Sequence, residues 1–353
     1  MTRIDWLILK RLLARIGLVM ALLFGLFGLV QSLDTSQSRL LGAAGGVPLV
    51  IGGFAAVSAR IVLGTLPVSV LIGTIVAVLD LQSRRELVAI KATGYSIWRV
   101  LRAPLLLAIL GAFAVVGFIE PQVVQINRML PLSVPAPGSS GVLWFEQTNA
   151  EGSYVISAER ASNDGARLEG GVTFFMTGLP GRARIEAPSA RLVDGAWHID
   201  RGRRFTPSAP PEPLRDFEIP TTTTAGDLLV RFTVPRDLSL GQLWQAMSAG
   251  IADPDTRASA VTSFIRQLSL PGLLCGMVLI GFAFTSGYRR TNRYGGAVLY
   301  GVVLGFVVYV VTELASRAGF AGVLDPTFAA AGPALVAIVI GLTVLLFRED
   351  GRT

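Results

Sequence analysis

The segment Val100-Leu-Arg-Ala-Pro-Leu-Leu-Leu-Ala-Ile-Leu-Gly-Ala-Phe-Ala-Val-Val-Gly-Phe-Ile119 carries one charged residue, Arg102, in an otherwise apolar stretch. Its length is close to the roughly 20 residues that an α-helix needs to cross the hydrocarbon core of a membrane. Its apolar residues follow one another without the spacing of an amphipathic surface helix. The segment therefore predicts a transmembrane helix.

Similar blocks occur elsewhere in the chain. The predicted spans are residues 12–33, 54–79, 100–119, 264–284, 295–314 and 328–347. Hydrophobic residues make up 52% of the 353 residues and charged residues 16%, and the mean hydropathy is +0.58. This composition excludes an ordinary soluble globular protein. We therefore predict a membrane protein with six transmembrane α-helices, arranged as three plus three.

The positive residues predict the orientation of the chain, whose formal net charge is +7. They crowd the links between spans two and three and between spans four and five, at Arg84, Arg85, Lys91, Arg99, Arg102, Arg289, Arg290 and Arg293. Positive residues are retained on the cytoplasmic side of a membrane. We predict a multi-pass protein of the bacterial inner membrane with cytoplasmic N- and C-termini. This location of the charges also argues against a nucleic-acid partner.

Residues 127–262 differ in composition and predict a periplasmic β domain inserted between membrane residues 1–126 and 263–353. Short alternating runs at 153–157, 172–176 and 196–200 predict strands separated by turns such as Asp194-Gly. The proline-rich stretch 206–213 predicts a loop, because each proline removes an amide donor. Residues 239–248 return to a helical pattern.

The chain lacks the residues of the common catalytic motifs. Its lysines, Lys10 and Lys91, do not follow a Walker A glycine pattern, so we predict no ATP site of that kind. The single histidine, His198, excludes an H-E-x-x-H zinc pair and is predicted to be structural. The sequence thus predicts neither an enzyme nor a bound cofactor or metal.

The segment Ser83-Arg-Arg-Glu-Leu-Val-Ala-Ile-Lys-Ala-Thr-Gly94 predicts a short amphipathic helix on the cytoplasmic side. Ser83 and Glu86 have the spacing of a capping box, Leu87 and Ile90 follow at helical intervals, and Gly94 suits the C-terminal cap. Two interpretations remain open: a helix lying on the lipid headgroups, and a docking helix for a soluble partner.

Other residues allow two interpretations each. Arg60, close to the second span, either reaches back to the interface or faces a cavity that holds an anion such as a lipid phosphate. Pro67 permits a kink in that span. Gly301 and Gly305 offer a close-packing face for another helix, which is weak support for a partner subunit.

Several segments together resemble the LptF/LptG family of lipopolysaccharide-export permeases. They are Leu66-Pro-Val-Ser-Val-Leu-Ile-Gly, Arg85-Glu-Leu-Val-Ala-Ile-Lys-Ala-Thr-Gly-Tyr-Ser, Glu120-Pro-Gln-Val-Val-Gln-Ile-Asn-Arg, Gly141-Val-Leu-Trp-Phe-Glu and Gly305-Phe-Val-Val-Tyr-Val. The resemblance spans nearly the whole chain and is closer to LptG than to LptF. It departs after the first span, where Gln31, Gln37 and Ser38 stand at positions that tend to be lysine in LptG relatives.

The resemblance implies a non-catalytic subunit of the LptB2FG complex, with a β-jellyroll in the periplasm. Two such permeases would stand side by side on a dimer of the ATPase LptB, with the first and fifth spans at the gates for lipopolysaccharide. LptC and LptA would receive the lipid. The family's coupling helix falls on residues 83–96, with Arg85, Glu86, Leu87, Ile90 and Gly94 as its partner-binding residues. Arg39, Arg60 and Arg128 are the implied lipopolysaccharide-binding residues.

Three alternatives follow from the same residues. A permease for another lipid or a lipoprotein would share the layout of spans and β domain. A secondary transporter would need ionisable groups deep in the bundle, whereas Asp80, Glu120 and Glu313 are predicted near span ends. A membrane-anchored structural or sensor protein would need no coupling helix.

Overall fold

The computed structural model describes residues 3–33, 35–92, 96–129, 143–149, 152–161, 167–176, 183–207, 209–232, 238–285 and 295–349. The chain divides into two compact units. The first unit is Met1–Ser133 together with Phe264–Thr353, and the second is Val134–Ser263. This division is that of a membrane protein with an inserted domain.

The first unit is helical. Its elements are α1 (Arg3–Ser32), α2 (Thr35–Gly64), α3 (Leu66–Ser83), α4 (Glu86–Ala92), α5 (Ile97–Ala114), a π-helical turn (Val115–Ile119) and α6 (Glu120–Met129). Beyond the β domain follow α9 (Pro254–Thr285), α10 (Gly295–Phe320) and α11 (Pro326–Glu349). The boundary between the two units falls within α9.

Among the described residues, seven helical segments are long and apolar enough to cross a membrane, and the predicted blocks fall on them. The segments are Asp5–Ser32, Gly46–Gly64, Leu66–Ser83, Ile97–Ile126, Pro254–Thr285, Leu299–Phe320 and Pro326–Phe347. The number exceeds six because the second predicted span is divided between α2 and α3 at Thr65. Pro67 at the start of α3 has no N–H to donate to a carbonyl of α2. The Thr65 hydroxyl donates to the Val62 carbonyl at 3.1 Å, and the Thr65 backbone N–H donates to the carbonyls of Ile61 and Val62.

The core of the helical unit is built around α3 and α9. The buried share of an apolar 18-residue stretch is 67% in α3 and 61% in α9, against 6% in α1. Small residues bring these helices close to their neighbours. A Cβ placed on Gly276 of α9 would lie 2.6 Å from the Cβ of Ala337 and 3.0 Å from the backbone carbon of the same residue. Glycine is thus required sterically where α9 crosses α11.

The glycines of α10 pack within the chain. A Cβ on Gly305 would overlap the side chain of Leu71 in α3, and one on Gly301 would lie 3.1 Å from the Cβ of Phe284 in α9. The predicted close-packing face therefore exists, but its neighbours are α3 and α9 of this chain. It does not support a partner subunit.

The second unit contains a sheet of antiparallel strands. They are β1 (Leu143–Asn149), β2 (Gly152–Ala158), β3 (Arg160–Ala161), β4 (Arg167–Met176), β5 (Arg184–Val193), β6 (Ala196–Thr206) and β7 (Ala209–Pro220). The order β1-β2-β4-β5-β6-β7 follows the chain, and β3 pairs with β4. The strand runs predicted at 153–157, 172–176 and 196–200 are confirmed in β2, β4 and β6. His198 lies opposite Glu218, with Nδ1 3.2 Å from Oε1.

The loop predicted over residues 206–213 is wrong, because β7 already begins at Ala209. Pro213 lies opposite Arg203, and Ala209 lies opposite Thr206, next to the turn. Among the described strands, β7 is the last in the order and pairs with β6 alone. An edge strand tolerates proline because its second side has no ladder to complete.

A buried amide joins the strands of the β domain. The Oε1 atom of Gln147 in β1 accepts hydrogen bonds from Tyr154 Oη at 2.8 Å, Trp197 Nε1 at 3.1 Å and Thr221 Oγ1 at 2.7 Å. The rest of this core is apolar and includes Phe174. This single oxygen therefore links β1 to β2, to β6 and to the residue that follows β7.

Two short helices complete the unit, α7 (Ala225–Phe232) and α8 (Leu240–Ser248). The helix predicted at 239–248 is confirmed, with Ser239 and Gln242 forming a capping box. The carboxylate of Asp227 in α7 is buried and accepts bonds from the backbone N–H groups of Thr224, Ala252 and Asp253. It fixes α7 to the chain that enters α9.

Gly276→Ala should destabilise the helical unit, since its new methyl group meets the backbone of α11. We expect a loss of about 1–3 kcal/mol, the usual cost of overpacking. The measurement is the thermal unfolding midpoint of the purified protein in detergent. Gly272→Ala is the matched control in α9, because its Cβ would lie 3.8 Å from Ala334 and Ile338. Equal midpoints for the two variants would contradict this packing.

Gln147→Leu should destabilise the β domain, because the buried donors Trp197 Nε1 and Thr221 Oγ1 lose their acceptor, whereas Tyr154 Oη keeps the Pro220 carbonyl at 3.2 Å. Each orphaned donor costs about 1–3 kcal/mol. Glu146→Leu, at the exposed neighbouring position of β1, is the control. We expect limited proteolysis to cut the β domain of Gln147→Leu faster than that of Glu146→Leu. Equal cutting rates would show that the three hydrogen bonds contribute nothing to stability.

Candidate functional site

The candidate site is the short helix α4 together with the turn that leads into it. At the end of α3, the backbone N–H groups of Arg84 and Arg85 donate to the carbonyls of Asp80 and Gln82 at 3.3 and 2.9 Å. Arg85 has φ 59°, in the left-handed region. This conformation ends α3 and redirects the chain into α4 at Glu86.

The capping box predicted from Ser83 and Glu86 is wrong. Ser83 is the last residue of α3, and its hydroxyl donates to the Asp80 carbonyl at 2.9 Å. The helix therefore begins at Glu86, three residues later than predicted, and its described part ends at Ala92. Gly94, the predicted C-terminal cap, lies outside the described residues.

The two faces of α4 differ in their surroundings. Leu87 is 2% exposed and belongs to the core of the helical unit, and Ile90 packs against the same core. Arg85, Ala89 and Ala92, which follow at intervals of four and three, are exposed. Of the side chains described on this side, Ala89 and Ala92 are small, and Arg85 directly precedes the helix.

Charged side chains connect α4 to α1 and α3. The Nη2 of Arg11 donates to Glu86 Oε1 at 2.8 Å, and its Nη1 lies 2.7 Å from Oε2. Arg15 Nη2 lies 3.3 Å from Asp80 Oδ1, and Arg84 Nε lies 3.5 Å from the same atom. Arg11 Nη1 is also 3.7 Å from Asp80 Oδ2. We call Arg11, Arg15, Asp80, Arg84 and Glu86 the charge cluster.

The charge cluster was not predicted from the sequence. Arg11 and Glu86 are 75 positions apart. The one available signal is that charges of opposite sign flank consecutive apolar blocks, with Arg11 and Arg15 at the first block and Asp80 at the second. Such a signal gives no pairing, because it does not say which helix ends lie side by side.

The predicted lipid-binding arginines lie on two helices. Arg60 is exposed on α2. Arg39 also belongs to α2 and Arg128 belongs to α6, but the side chains of these two residues are not among those described. The helices α2 and α6 pack against each other. The fold thus brings together the helices that carry Arg60 and Arg128.

These features define a class: a multi-pass membrane protein with a β domain inserted between two groups of membrane helices and a short helix anchored beside them. The family model of the lipopolysaccharide export system permease LptF/LptG matches residues 6–347. The chain belongs to this family, which confirms the resemblance seen in the sequence. No curated protein matches the chain.

Family membership makes this chain a lipopolysaccharide export permease of the bacterial inner membrane. The family consists of permease subunits of an ABC exporter, which agrees with a transport subunit. The closer likeness to LptG than to LptF stays a prediction.

Proposed function

We propose that this chain couples ATP hydrolysis by a cytoplasmic LptB dimer to the extraction of lipopolysaccharide from the inner membrane. The observation that supports this most directly is the build of α4. Leu87 and Ile90 anchor the helix to the core, while Arg85, Ala89 and Ala92 remain exposed. This is the arrangement expected of a docking helix, because a partner that pushes on the exposed side moves a helix that is firmly packed on the core.

In this proposal the ATPase contacts the segment 83–96 through Arg85, Glu86 and Gly94, and Leu87 and Ile90 hold the segment in place. In the same proposal α4 and both termini lie in the cytoplasm and the β domain lies in the periplasm, which the positive residues at the links between spans support. The paired permease, LptF or LptG, stands beside this chain. The helices α1 and α10 line the gates, and the β domain passes the lipid toward LptC and LptA.

A headgroup site near α2 and α6 completes the proposal. Arg39, Arg60 and Arg128 are suited to bind the phosphates of lipopolysaccharide through charge-assisted hydrogen bonds. The contact between α2 and α6 supports a shared site for Arg60 and Arg128.

A secondary transporter is disfavoured by the pairing of the acidic residues near the span ends. Asp80 lies within ion-pair distance of Arg11, Arg15 and Arg84, and Glu313 pairs with Arg317 at 3.1 Å. A coupling ion would have to compete with these arginines for the carboxylates.

Ala89→Arg should abolish recovery of an LptB-type ATPase with the detergent-solubilised permease pair. The new side chain covers the small-residue face of α4 while leaving Leu87 and Ile90 in place. The measurement is the amount of ATPase retained in a pull-down of this chain. Gln245→Arg is the control, because it places the same side chain at an exposed helical position of the β domain. Full recovery with Ala89→Arg, or no ATPase with the wild type, would refute the docking proposal.

Arg60→Ala should weaken binding of lipopolysaccharide about tenfold, on the scale of one charge-assisted hydrogen bond. The measurement is the affinity of the purified exporter for lipopolysaccharide and for the same lipid after removal of its phosphates. The dephosphorylated lipid should bind wild type and variant equally. Arg257→Ala, which removes an exposed arginine from α9, is the control. An Arg60→Ala variant that binds the phosphorylated lipid as the wild type does would rule out a phosphate contact.

A further inference from the structure

The charge cluster joins α1 to the consecutive helices α3 and α4. Arg11 and Arg15 are one turn apart on α1, Asp80 is near the end of α3, and Glu86 is the first residue of α4. Arg84, by contrast, reaches back to Asp80 of its own chain segment, four residues away. Of the ion pairs described here, the one between Arg11 and Glu86 is therefore the one that joins α1 to α4.

The pair of Arg11 with Glu86 is sheltered from water. The side chains are 24% and 32% exposed, but the Nη1 of Arg11 and the Oε2 of Glu86 have almost no exposed surface. The Nη2 of Arg11 donates a hydrogen bond to Oε1 of Glu86 at 2.8 Å, while Nη1 and Oε2 lie 2.7 Å apart as an ion pair without a hydrogen bond between them. One charge-assisted hydrogen bond and one close ion contact thus join the two side chains. Such a pair resists separation far more than an exposed pair, whose charges are screened by water.

The pair joins helices that are both held by the core. Leu87 anchors α4 in the core of the helical unit, and Ile8 and Leu12 of α1, which flank Arg11, are 2% exposed and belong to the same core. The Oδ2 of Asp80 in α3 lies 3.7 Å from Nη1 of Arg11. Arg11 thus has a fixed position on α1, and a displacement of α4 acts on α1 through this pair.

We propose that Arg11 and Asp80 are positioning residues that pass the displacement of α4 to α1. The inference rests on the proposed function, in which the ATPase acts on α4 and α1 lines a gate. It adds the route between α4 and α1. When α4 moves, Glu86 pulls on Arg11, and α1 moves with the first residue of α4. In this arrangement Glu86 serves the link within the chain in addition to any contact with the ATPase.

The test uses the complete exporter, reconstituted in vesicles that contain lipopolysaccharide. Three quantities are measured: the ATPase retained, the ATP hydrolysed and the lipid transferred per ATP. Arg11→Gln should retain the ATPase at the wild-type level and transfer at least about fivefold less lipid per ATP, the lower end of typical coupling between sites. Arg102→Gln is the matched control, because it makes the same substitution at an exposed arginine of α5 outside the charge cluster, and it should transfer lipid as the wild type does.

The double variant Arg11→Gln/Glu86→Gln separates a shared contact from independent roles. If the two residues act through their contact, the double variant loses no more lipid transfer per ATP than the more impaired single variant. Losses that multiply would overturn the link. Wild-type transfer by Arg11→Gln would also overturn it while leaving the docking proposal intact. Absence of the ATPase from the wild-type complex would refute the proposed function itself, and the inference with it.

Discussion

Inside the hydrocarbon core of a membrane a backbone N–H or C=O group finds no water, so each must be satisfied within its own helix or by a close neighbour. This constraint explains why the apolar blocks are helical. At the break before Pro67, the backbone N–H of Thr65 still donates to the carbonyls of Ile61 and Val62, so the helical hydrogen bonds of α2 continue to its end. It also explains the use of glycine in α9 and α10, since van der Waals contact, more than the hydrophobic effect, holds helices together in lipid. The close approach of α9 to α11 places α9 in the core of the helical unit.

The layout of the fold could be predicted from composition because a transmembrane helix depends on length and apolarity alone. The six predicted blocks and the inserted β domain all appear in the structure. The division at Thr65 was missed because Pro67 is compatible with either a kink or a break, and the choice depends on the neighbours of α2 and α3. The strand β7 was missed for a related reason. Proline disfavours a central strand but not an edge strand, and the position of a strand in a sheet is a property of the tertiary fold.

The candidate site was predicted in part. The apolar spacing of Leu87 and Ile90 gave the buried face of α4, because helical periodicity is local. The start of the helix was not found, since Ser83 has the spacing of a capping residue yet donates within α3. The left-handed Arg85 that ends α3 has no sequence signal, because glycine and asparagine are the residues expected there. Contacts between Arg11 and Glu86 depend on the packing of α1 against α3, which brings together residues 75 positions apart.

The distance dependence of the forces involved distinguishes the two ways in which α4 is held. Leu87 and Ile90 are fixed by dispersion and burial, which vanish once the surfaces separate by a small distance. The attraction between Arg11 and Glu86 falls only as the inverse of the distance, and shelter from water keeps it strong. An apolar contact therefore fixes one position, whereas an ion pair continues to act on its partner while that partner moves. Such a chain must hold α4 firmly and still pass its motion to α1. Apolar anchoring on one side of the helix serves the first need, and the sheltered charge pair at its first residue serves the second.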